Sequence, residues 1–492
     1  MSILIVVNDP ADWPLAIKGV ELVAAREYLT GPEFAALRSA KVFNLCRSYR
    51  YQSTGYYVSL LASARGHKPL PDITTIQDFK SQTILKIASD NLDHIIQRSL
   101  AKIKSREFVL SIYFGHNVAK RYEALCQELF RLFQAPFLRA VFAYHEKGGR
   151  WILHSLRPIP TGEIPPEHLD FVLETARQFF RSRRKKVRPA GFRYDIALLH
   201  NPEEKEPPSN KRAMRKFMRA AEAVKLEPEL ITKDDYGRLA EFDALFIRET
   251  TGVNHHTYRF ARRAVARNLV SVDDPESILK CTNKVFLAEL LHHHRVLTPR
   301  TVIVHKTNAD LLPDNLGFPC IVKQPDSSFS QGVYKVENRR ELRDRIEKML
   351  ERSDLIIAQE FLPTSFDWRV GIFDRQPLFV SRYYMAGEHW QIIKRSASGV
   401  NIKYGRVETL AVDEVPPRLI DTALKAANLI GDGLYGVDIK QARGRFYIIE
   451  INDNPNIDAG YEDRVLKDDL YLTIMRVFLQ RIEMRAAGRK GQ

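Results

Sequence analysis

The clearest pattern of apolar and polar positions lies near the C-terminus, where two apolar runs flank a short charged turn. The runs cover residues 434–440 and 446–452, and the segment between them has hairpin-turn composition. Asp438 interrupts the first run, Glu450 interrupts the second, and Asn452 follows at strand spacing. Because side chains alternate along a strand, Glu450 and Asn452 share one face, and a hairpin can bring Asp438 to it.

Carboxylates at such apolar positions need a partner, because burying them costs several kcal/mol unless they are paired or hold a metal. Three hard oxygen ligands on a rigid sheet suit Mg²⁺, which keeps waters and substrate phosphates in its other positions. Mn²⁺ is the alternative ion. The competing interpretation is a pair of edge-strand acids that face water. The hairpin therefore predicts a metal site at Asp438, Glu450 and Asn452.

The same patterns divide the chain into three α/β regions. Residues 1–190 begin with a strand and helical stretches, and a later helix is predicted at 120–133. Residues 191–271 alternate strand and helix, which predicts a small parallel α/β domain. Residues 272–492 form the last predicted domain and contain the acid hairpin.

Size and charge narrow the class of protein. A chain of 492 residues is too long for one core. Its net charge of +15 predicts an anionic partner, which leaves nucleotide, nucleic acid, acidic peptide or membrane surface. No apolar run is long enough to span a bilayer, so no membrane partner is expected. Four scattered cysteines without a CxxC pair, and no signal-peptide pattern at the start, predict a cytoplasmic protein.

A basic run at 181–186 precedes Pro189-Ala190-Gly191 and marks the boundary near residue 190. Such a run can contact nucleic acid, although a solvated helix end or linker is its commoner use. Nucleic-acid binding therefore stays open at this point.

Several candidate functional residues precede the hairpin along the chain. Lys323 ends an apolar strand, and the small and hydroxyl-bearing residues of 326–333 can close their backbone N–H groups on phosphate oxygens. The apolar run 354–362 leads into an irregular segment whose backbone can pair with an adenine edge. Asp367 is placed to accept from ribose hydroxyls, and Arg369 can hold a carboxylate bidentately.

A basic segment and two groups of histidines each have a functional and a simpler structural interpretation. The basic, Gly-containing segment 392–406 could close over phosphates and exclude water, or it could be a mobile surface loop. The histidine pair at 255–256 and the histidine triplet at 292–294 could indicate a zinc site, but surface or helix-end histidines are the favoured interpretation.

The order of lysine strand, small-residue loop, Gln-Glu linker, Asp and then Glu-x-Asn resembles the ATP-grasp carboxylate–amine ligases. Within them the chain looks most like the RimK-type glutamate ligases, over roughly residues 192–480. Residues 43–52 resemble a signature of the N-terminal extension in a longer RimK-like group. The resemblance implies an ATP-grasp fold, in which two α+β subdomains clasp ATP, preceded by a pre-ATP-grasp domain and the extension.

The resemblance also implies roles for single residues. The ATP-binding set comprises two phosphate lysines, the phosphate loop, the adenine linker and the ribose acid: Lys284, Lys323, Ser327, Ser328, Ser330, Gln331, Gly332, Gln359, Glu360, Phe361, Leu362 and Asp367. The metal ligands are Asp438, Glu450 and Asn452, the catalytic residues are Arg369 and Lys394, and the substrate arginines are Arg248 and Arg369. The phosphate loop is richer in Ser than the family pattern, and the segment that starts at Lys394 matches it only roughly.

The implied activity is an ATP-dependent ligation with ADP and phosphate as products. A substrate carboxylate attacks the γ-phosphate to give an acylphosphate, and an amine then displaces phosphate to form an amide. The carboxylate would be glutamate, another amino acid or a peptide, and the acceptor a peptide, protein or small amine. The alternative is a basic nucleic-acid- or protein-binding factor with a regulatory ATP site. Analogy alone suggests a homo-oligomer.

Overall fold

The computed structural model describes residues 2–37, 40–182, 191–306, 308–309, 312–326, 332–386, 390–395 and 402–488. The chain forms two compact units, Met1–Pro189 and Ala190–Gln492. Among the helices described, none combines the length and apolar character needed to cross a membrane.

The first unit contains a parallel sheet with the strand order β2-β1-β3-β4. Its elements are β1 Ser2–Val7, β2 Glu21–Ala24, α1 Ala25–Thr30, α2 Pro32–Ala36, β3 Ala40–Asn44, α3 Thr54–Ala64, β4 Lys68–Leu70, α4 Ile73–Asp78, α5 Gln82–Asn91 and α6 Asp93–Leu100. The apolar pattern predicted only the first strand here. The other three strands have three to five residues, and runs this short do not show a period that separates strand from helix.

The rest of the first unit is an antiparallel sheet with the order β5-β6-β7 and two helices. Its elements are β5 Glu107–Tyr113, α7 Glu123–Leu132, β6 Phe137–His145, β7 Arg150–Pro158 and α8 Leu169–Ser182. The helix predicted at 120–133 is confirmed as α7, although a 3₁₀ turn at Lys120–Tyr122 precedes it. Most of the basic run at 181–186 lies outside the described residues.

The second unit starts with the predicted parallel α/β domain, which is confirmed: four parallel strands take the order β9-β8-β10-β11. Its elements are β8 Tyr194–Leu199, α9 Lys211–Ala223, β9 Leu226–Ile231, β10 Ala244–Ile247, α10 His256–Ala266 and β11 Val270–Val272. The strands β8 and β10 are almost wholly buried, as expected for a sheet covered on both faces.

A four-stranded antiparallel sheet with the order β12-β15-β13-β14 follows. This segment contains α11 Pro275–Thr282, α12 Lys284–His293, β12 Thr301–Val304, α13 Leu312–Leu316, β13 Cys320–Lys323, β14 Val333–Val336, α14 Arg339–Leu350 and β15 Ile356–Glu360. One face of the sheet packs on α13 and α14 in a small apolar core.

The last sheet has five antiparallel strands in the order β20-β17-β16-β21-β22, beside a separate two-stranded ribbon, β18-β19. The elements are β16 Phe366–Phe373, β17 Gln376–Tyr384, β18 Ile393–Arg395, β19 Ile402–Tyr404, β20 Val407–Leu410, α15 Pro417–Ile430, β21 Leu434–Ala442, β22 Arg445–Asn452 and α16 Asp468–Gly488. The helix α15 covers one face of this sheet with Leu419, Ala423 and Ala427, which leaves the other face for polar side chains.

Candidate active site

The predicted hairpin is present, and its acids converge. The strands β21 and β22 pair antiparallel with Asp438 opposite Glu450, and the register shifts just after Asp438. The Asn452 side-chain nitrogen lies 3.2 Å from Asp438 Oδ2. Three side chains with oxygen ligands therefore share one face of two adjacent strands, as their alternation predicted.

Arg369 binds one of these acids directly. It lies on β16 opposite Asp438 of β21, and its Nε and Nη2 donate to the two carboxylate oxygens at 2.6 and 2.7 Å. Its guanidinium also lies 4.8 Å from the ring centre of Tyr383. Burial opposes the charge on Arg369, but Asp438 outweighs burial and raises the arginine pKa. Burial raises the pKa of Asp438, and Arg369 opposes that rise.

Lys284 binds the second acid, since its Nζ lies 2.9 Å from Glu450 Oε1. The lysine begins α12, where Asn283 caps the helix and the Lys284 backbone N–H donates to Pro325. Burial favours the neutral form of Glu450, but Lys284 and Lys323 outweigh it and lower the glutamate pKa.

Lys323 is the second lysine of the site and is 8% exposed. It ends β13, and its Nζ donates to Gln359 Oε1 on the neighbouring β15 at 2.8 Å. Burial lowers the pKa of Lys323 to about 8, and the positive charge of Lys284 adds to the effect while Glu450 opposes it. A bound phosphate would offset the cost of burying the charged ammonium, because it places a negative charge next to the lysine.

The predicted adenine linker continues from Gln359. Glu360 pairs with Arg300 at 3.3 Å and with Arg443 at 3.2 Å on the protein surface. Phe361 and Leu362 follow directly and line the same cleft as the two lysines.

Asp367, the predicted ribose acid, has a partner that the sequence analysis missed. Lys440 Nζ lies 2.6 Å from Asp367 Oδ1 and 2.7 Å from the Thr364 hydroxyl, which also donates to Asp367. A signal was present in the sequence, because Lys440 follows Asp438 by two residues on β21 and so shares its face.

One cleft of the second unit gathers most of the predicted ATP and metal residues. Those that line it are Lys284, Lys323, Gln359, Glu360, Phe361, Leu362, Asp367, Asp438, Glu450 and Asn452. Val333 and Ile392, from the two candidate segments 326–333 and 392–406, also line the cleft. Residues that the sequence analysis did not single out complete the wall: Pro299, Ile321, Trp390, Gln391, Lys440 and Ile449. The cleft thus has an apolar and aromatic part beside a strongly charged part, which suits a nucleotide.

Part of the predicted phosphate loop lies outside the described residues, namely Ser327, Ser328, Ser330 and Gln331. Gly332 is described; its φ of +69° is in the left-handed region, and its carbonyl accepts from the Gln324 backbone. Lys394 lies on β18 opposite Lys403 of β19.

Arg248 does not line this cleft. It is 1% exposed and donates to the Ser209 hydroxyl, the Asn454 side chain and the carbonyl of Pro455, among others. These bonds tie the end of β10 to the segment that follows β22. Burial is the main influence on Arg248 and lowers its pKa to about 10, although several nearby acids oppose the change.

The residues present fit both ATP and a magnesium ion. Two carboxylates and an amide oxygen form a hard-oxygen set, and in this structure their charge is balanced by Arg369 and Lys284. Lys323 is buried in the same cleft, where its ammonium donates to the neutral side chain of Gln359. The donor set therefore suits a divalent cation together with the phosphates that such a cation brings.

Comparison with known proteins agrees with this geometry. The chain matches two family models, the RimK-like ATPgrasp N-terminal domain over residues 25–175 and the RimK-like ATP-grasp domain over residues 281–476. It is 28% identical to alpha-aminoadipate–LysW ligase LysX of Saccharolobus solfataricus over 192 residues, which is 37% of this chain and 66% of the relative. It is 26% identical to a probable alpha-L-glutamate ligase of Syntrophotalea carbinolica over 47% of this chain and 74% of that protein.

Solved structures similar to this chain include D-alanine–D-alanine ligase from Bacillus anthracis, at 16% identity and a TM-score of 0.46, covering 61% of this chain and 99% of that one. A RimK domain ATP-grasp protein from Sphaerobacter thermophilus has 15% identity and a TM-score of 0.45, covering 57% of this chain and 98% of that one.

The fold and the site define an ATP-grasp enzyme of the carboxylate–amine ligase class, which forms carbon–nitrogen bonds with ATP. Within that class the chain belongs to the RimK-like ATP-grasp family, and it carries the N-terminal domain as well as the ATP-grasp domain of that family.

Proposed function

We propose that this protein joins the carboxylate of an amino acid to an amine acceptor through an acylphosphate, with ADP and phosphate as products. The observation that carries the proposal is that two buried lysines and the acid hairpin line one and the same cleft. Two of the similar proteins are named as ligases of amino acids, alpha-aminoadipate in one and glutamate in the other. An amino acid, with glutamate as the first to test, is therefore the proposed substrate.

The lysines supply the charge that holds the phosphates of ATP. Lys323 is buried, and among the described residues it donates to the neutral side-chain amide of Gln359, so it gains most from a phosphate contact. Lys284 already pairs with Glu450 and would bridge that acid and a phosphate oxygen. Because phosphoryl transfer needs little covalent chemistry from the enzyme, positioning and charge are the main contributions of these residues.

Asp438, Glu450 and Asn452 would hold Mg²⁺, with Mn²⁺ as the alternative. When bound, the ion neutralises negative charge on the phosphates and orients them. Arg369 keeps Asp438 in place, since it donates two hydrogen bonds to that carboxylate.

We keep the two predicted arginines as candidates for the substrate carboxylate. Arg369 lies at the acid hairpin, so a cation that takes over Asp438 would leave the guanidinium fork available for a carboxylate. Arg248 donates hydrogen bonds to two loops and so holds them together. Its proposed role is to keep the substrate-binding part of the site in position. Lys394, which lies on the β18-β19 ribbon, is proposed to contact the transferring phosphate.

The test is an assay with Mg·ATP, single amino acids and hydroxylamine in place of the acceptor. We expect ADP, phosphate and a hydroxamate of one amino acid, because hydroxylamine traps an acylphosphate. Glu450→Gln should lose all three products, whereas Lys348→Gln, on an exposed position of α14, should keep them. Formation of AMP and pyrophosphate would refute the mechanism.

The same assay separates the ligase from the alternative factor with a regulatory ATP site. ATP turnover that responds to nucleic acid and yields no hydroxamate or amide with any amino acid would favour the alternative. The cytoplasmic location and the homo-oligomer stay predictions, to be checked by fractionation and by the mass of the protein in solution.

A further inference from the structure

A second group of polar side chains lies in the parallel domain, at the carboxyl end of β10. Glu249 follows that strand after Arg248, and a short loop leads to His255 and to His256, where α10 begins. The candidate ligand atoms of Glu249, His255 and His256 all lie within 4.8 Å of one another. The two imidazole ring centres are 3.9 Å apart.

Glu249 is the buried member of this group, with 1% of its surface exposed. Its Oε1 lies 2.6 Å from His256 Nε2. Among the described residues, neither carboxylate oxygen accepts a hydrogen bond of acceptable geometry, and the same holds for His256 Nε2. Burying a carboxylate costs several kcal/mol unless it is paired or holds a metal. Beyond the close contact with His256, the two oxygens of Glu249 therefore have acceptor capacity that a metal ion can use.

A neighbouring acid adds to the negative charge. Glu204 accepts two hydrogen bonds from Thr250 through Oε1, while its buried Oε2 has no hydrogen-bond partner among the described residues. A cation bound at Glu249 would offset the charge of both carboxylates.

The imidazole of His255 is already oriented. Its Nδ1 lies 3.0 Å from the hydroxyl of Thr257, which is fully buried. Metal-binding histidines typically engage one ring nitrogen with an oxygen in this way, which leaves the other nitrogen for the metal. His255 is itself exposed, so an ion can reach the group from solvent.

We propose that Glu249, His255 and His256 form a binding site for a divalent transition-metal ion, with Zn²⁺ as the ion that suits them. Two imidazole nitrogens and one carboxylate are a common zinc ligand set, and a fourth position stays open to water or to another donor. Mg²⁺ is disfavoured because it prefers oxygen ligands.

The position of the site suggests what the open coordination position serves. Ligands of parallel α/β sheets bind at the carboxyl ends of the strands, and Glu249 follows such an end. Asn454 donates to the Glu249 carbonyl at 2.7 Å and comes two residues after Asn452 of the acid hairpin. A metal at Glu249 would therefore lie next to the segment that continues from the hairpin. On the basis of the proposed ligase function, its open coordination position would bind a donor atom of the amine acceptor.

The test is zinc retention. The full-length protein is stripped with a chelator, dialysed against ZnSO₄ with a large excess of MgCl₂, passed through a desalting column and analysed by atomic emission. We expect about one zinc ion per chain, since one three-ligand site is proposed. Glu249→Gln and His256→Ala should lose this zinc, while His293→Ala, which removes an exposed histidine at the end of α12, should keep it.

Two further variants make the outcome decisive. Thr257→Val should weaken zinc binding by about 10–100-fold, because the hydroxyl that orients His255 is lost. Glu450→Gln should retain zinc, which excludes binding at the acid hairpin. If Glu249→Gln does not fold, as judged by circular dichroism, His255→Ala at the exposed position takes its place. Wild-type protein without retained zinc, or equal retention after loss of Glu249, His255 or His256, would overturn the proposal.

Discussion

Replacing Lys323 by methionine should make the free protein more stable while it weakens ATP binding. Lys323 is buried, and its pKa falls from the ordinary 10.5 to about 8. A shift of that size corresponds to about 3 kcal/mol that the charged lysine costs the folded state. Methionine has a similar shape and no charge, but it loses the hydrogen bond to Gln359, which offsets about 1 kcal/mol. The expected net gain is about 2 kcal/mol at pH 7.

The pH dependence of this gain provides the sharper measurement. Between pH 8 and 10.5 the unfolded chain binds more protons at Lys323 than the folded protein does. The wild type therefore becomes more stable as pH rises in this window. The difference in free energy of unfolding between the wild type and Lys323→Met should become smaller. Chemical unfolding of both proteins from pH 7 to 9.5 checks this, and Lys348→Met on the exposed face of α14 serves as the matched control.

ATP binding should change in the opposite direction. A charge-assisted hydrogen bond to phosphate contributes about 1.5–3 kcal/mol, so Lys323→Met should raise the Kd for ATP by at least tenfold in calorimetry. Saturating Mg·ATP should then stabilise the wild type more than the variant. If Lys323→Met were less stable than the wild type at pH 7, and the difference in stability did not vary with pH, Lys323 would not be a buried lysine with a lowered pKa that waits for a phosphate.

Other substitutions follow from the same contacts. Glu450→Gln should abolish ADP formation in a steady-state assay while its melting temperature shows an intact fold, and normal turnover would argue against a metal ligand. Arg369→Lys keeps the charge but cannot make both hydrogen bonds to Asp438, so kcat/KM for the carboxylate substrate should fall by tenfold or more; wild-type kinetics would contradict this. Burial raises the pKa of Asp453 to about 7, against a smaller opposing hydrogen bond, so the wild type should lose stability as pH rises from about 4 to 7. Asp453→Asn should remove this loss of stability, so the variant should melt at a higher temperature than the wild type at pH 8. Equal melting curves at that pH would contradict the raised pKa of Asp453.

The sequence by itself determined the class of fold and the central part of the site. The strands β8, β21 and β22 are mostly apolar and are bounded by polar turns, so they could be located from the pattern alone. Alternation then placed Asp438, Glu450 and Asn452 on one face, because side-chain direction along a strand depends only on local geometry.

Only the tertiary structure decided which charges pair. The partners of the acids come from other elements. Arg369 is 69 residues away from Asp438 along the chain, and Lys284 begins a helix that is distant from Glu450 in the sequence although the two side chains are in contact. The short strands β2 to β4 likewise depend on their neighbours in the sheet rather than on a period of their own.

The histidines show the same limit most clearly. His255 and His256 have the composition of an exposed helix start, and the sequence analysis favoured that interpretation. Glu249 is at the end of β10, and only the packing of that strand against the loop brings its buried carboxylate to the imidazoles. Local patterns predict elements and faces because those follow from neighbouring residues, whereas burial and long-range pairing arise when distant segments meet.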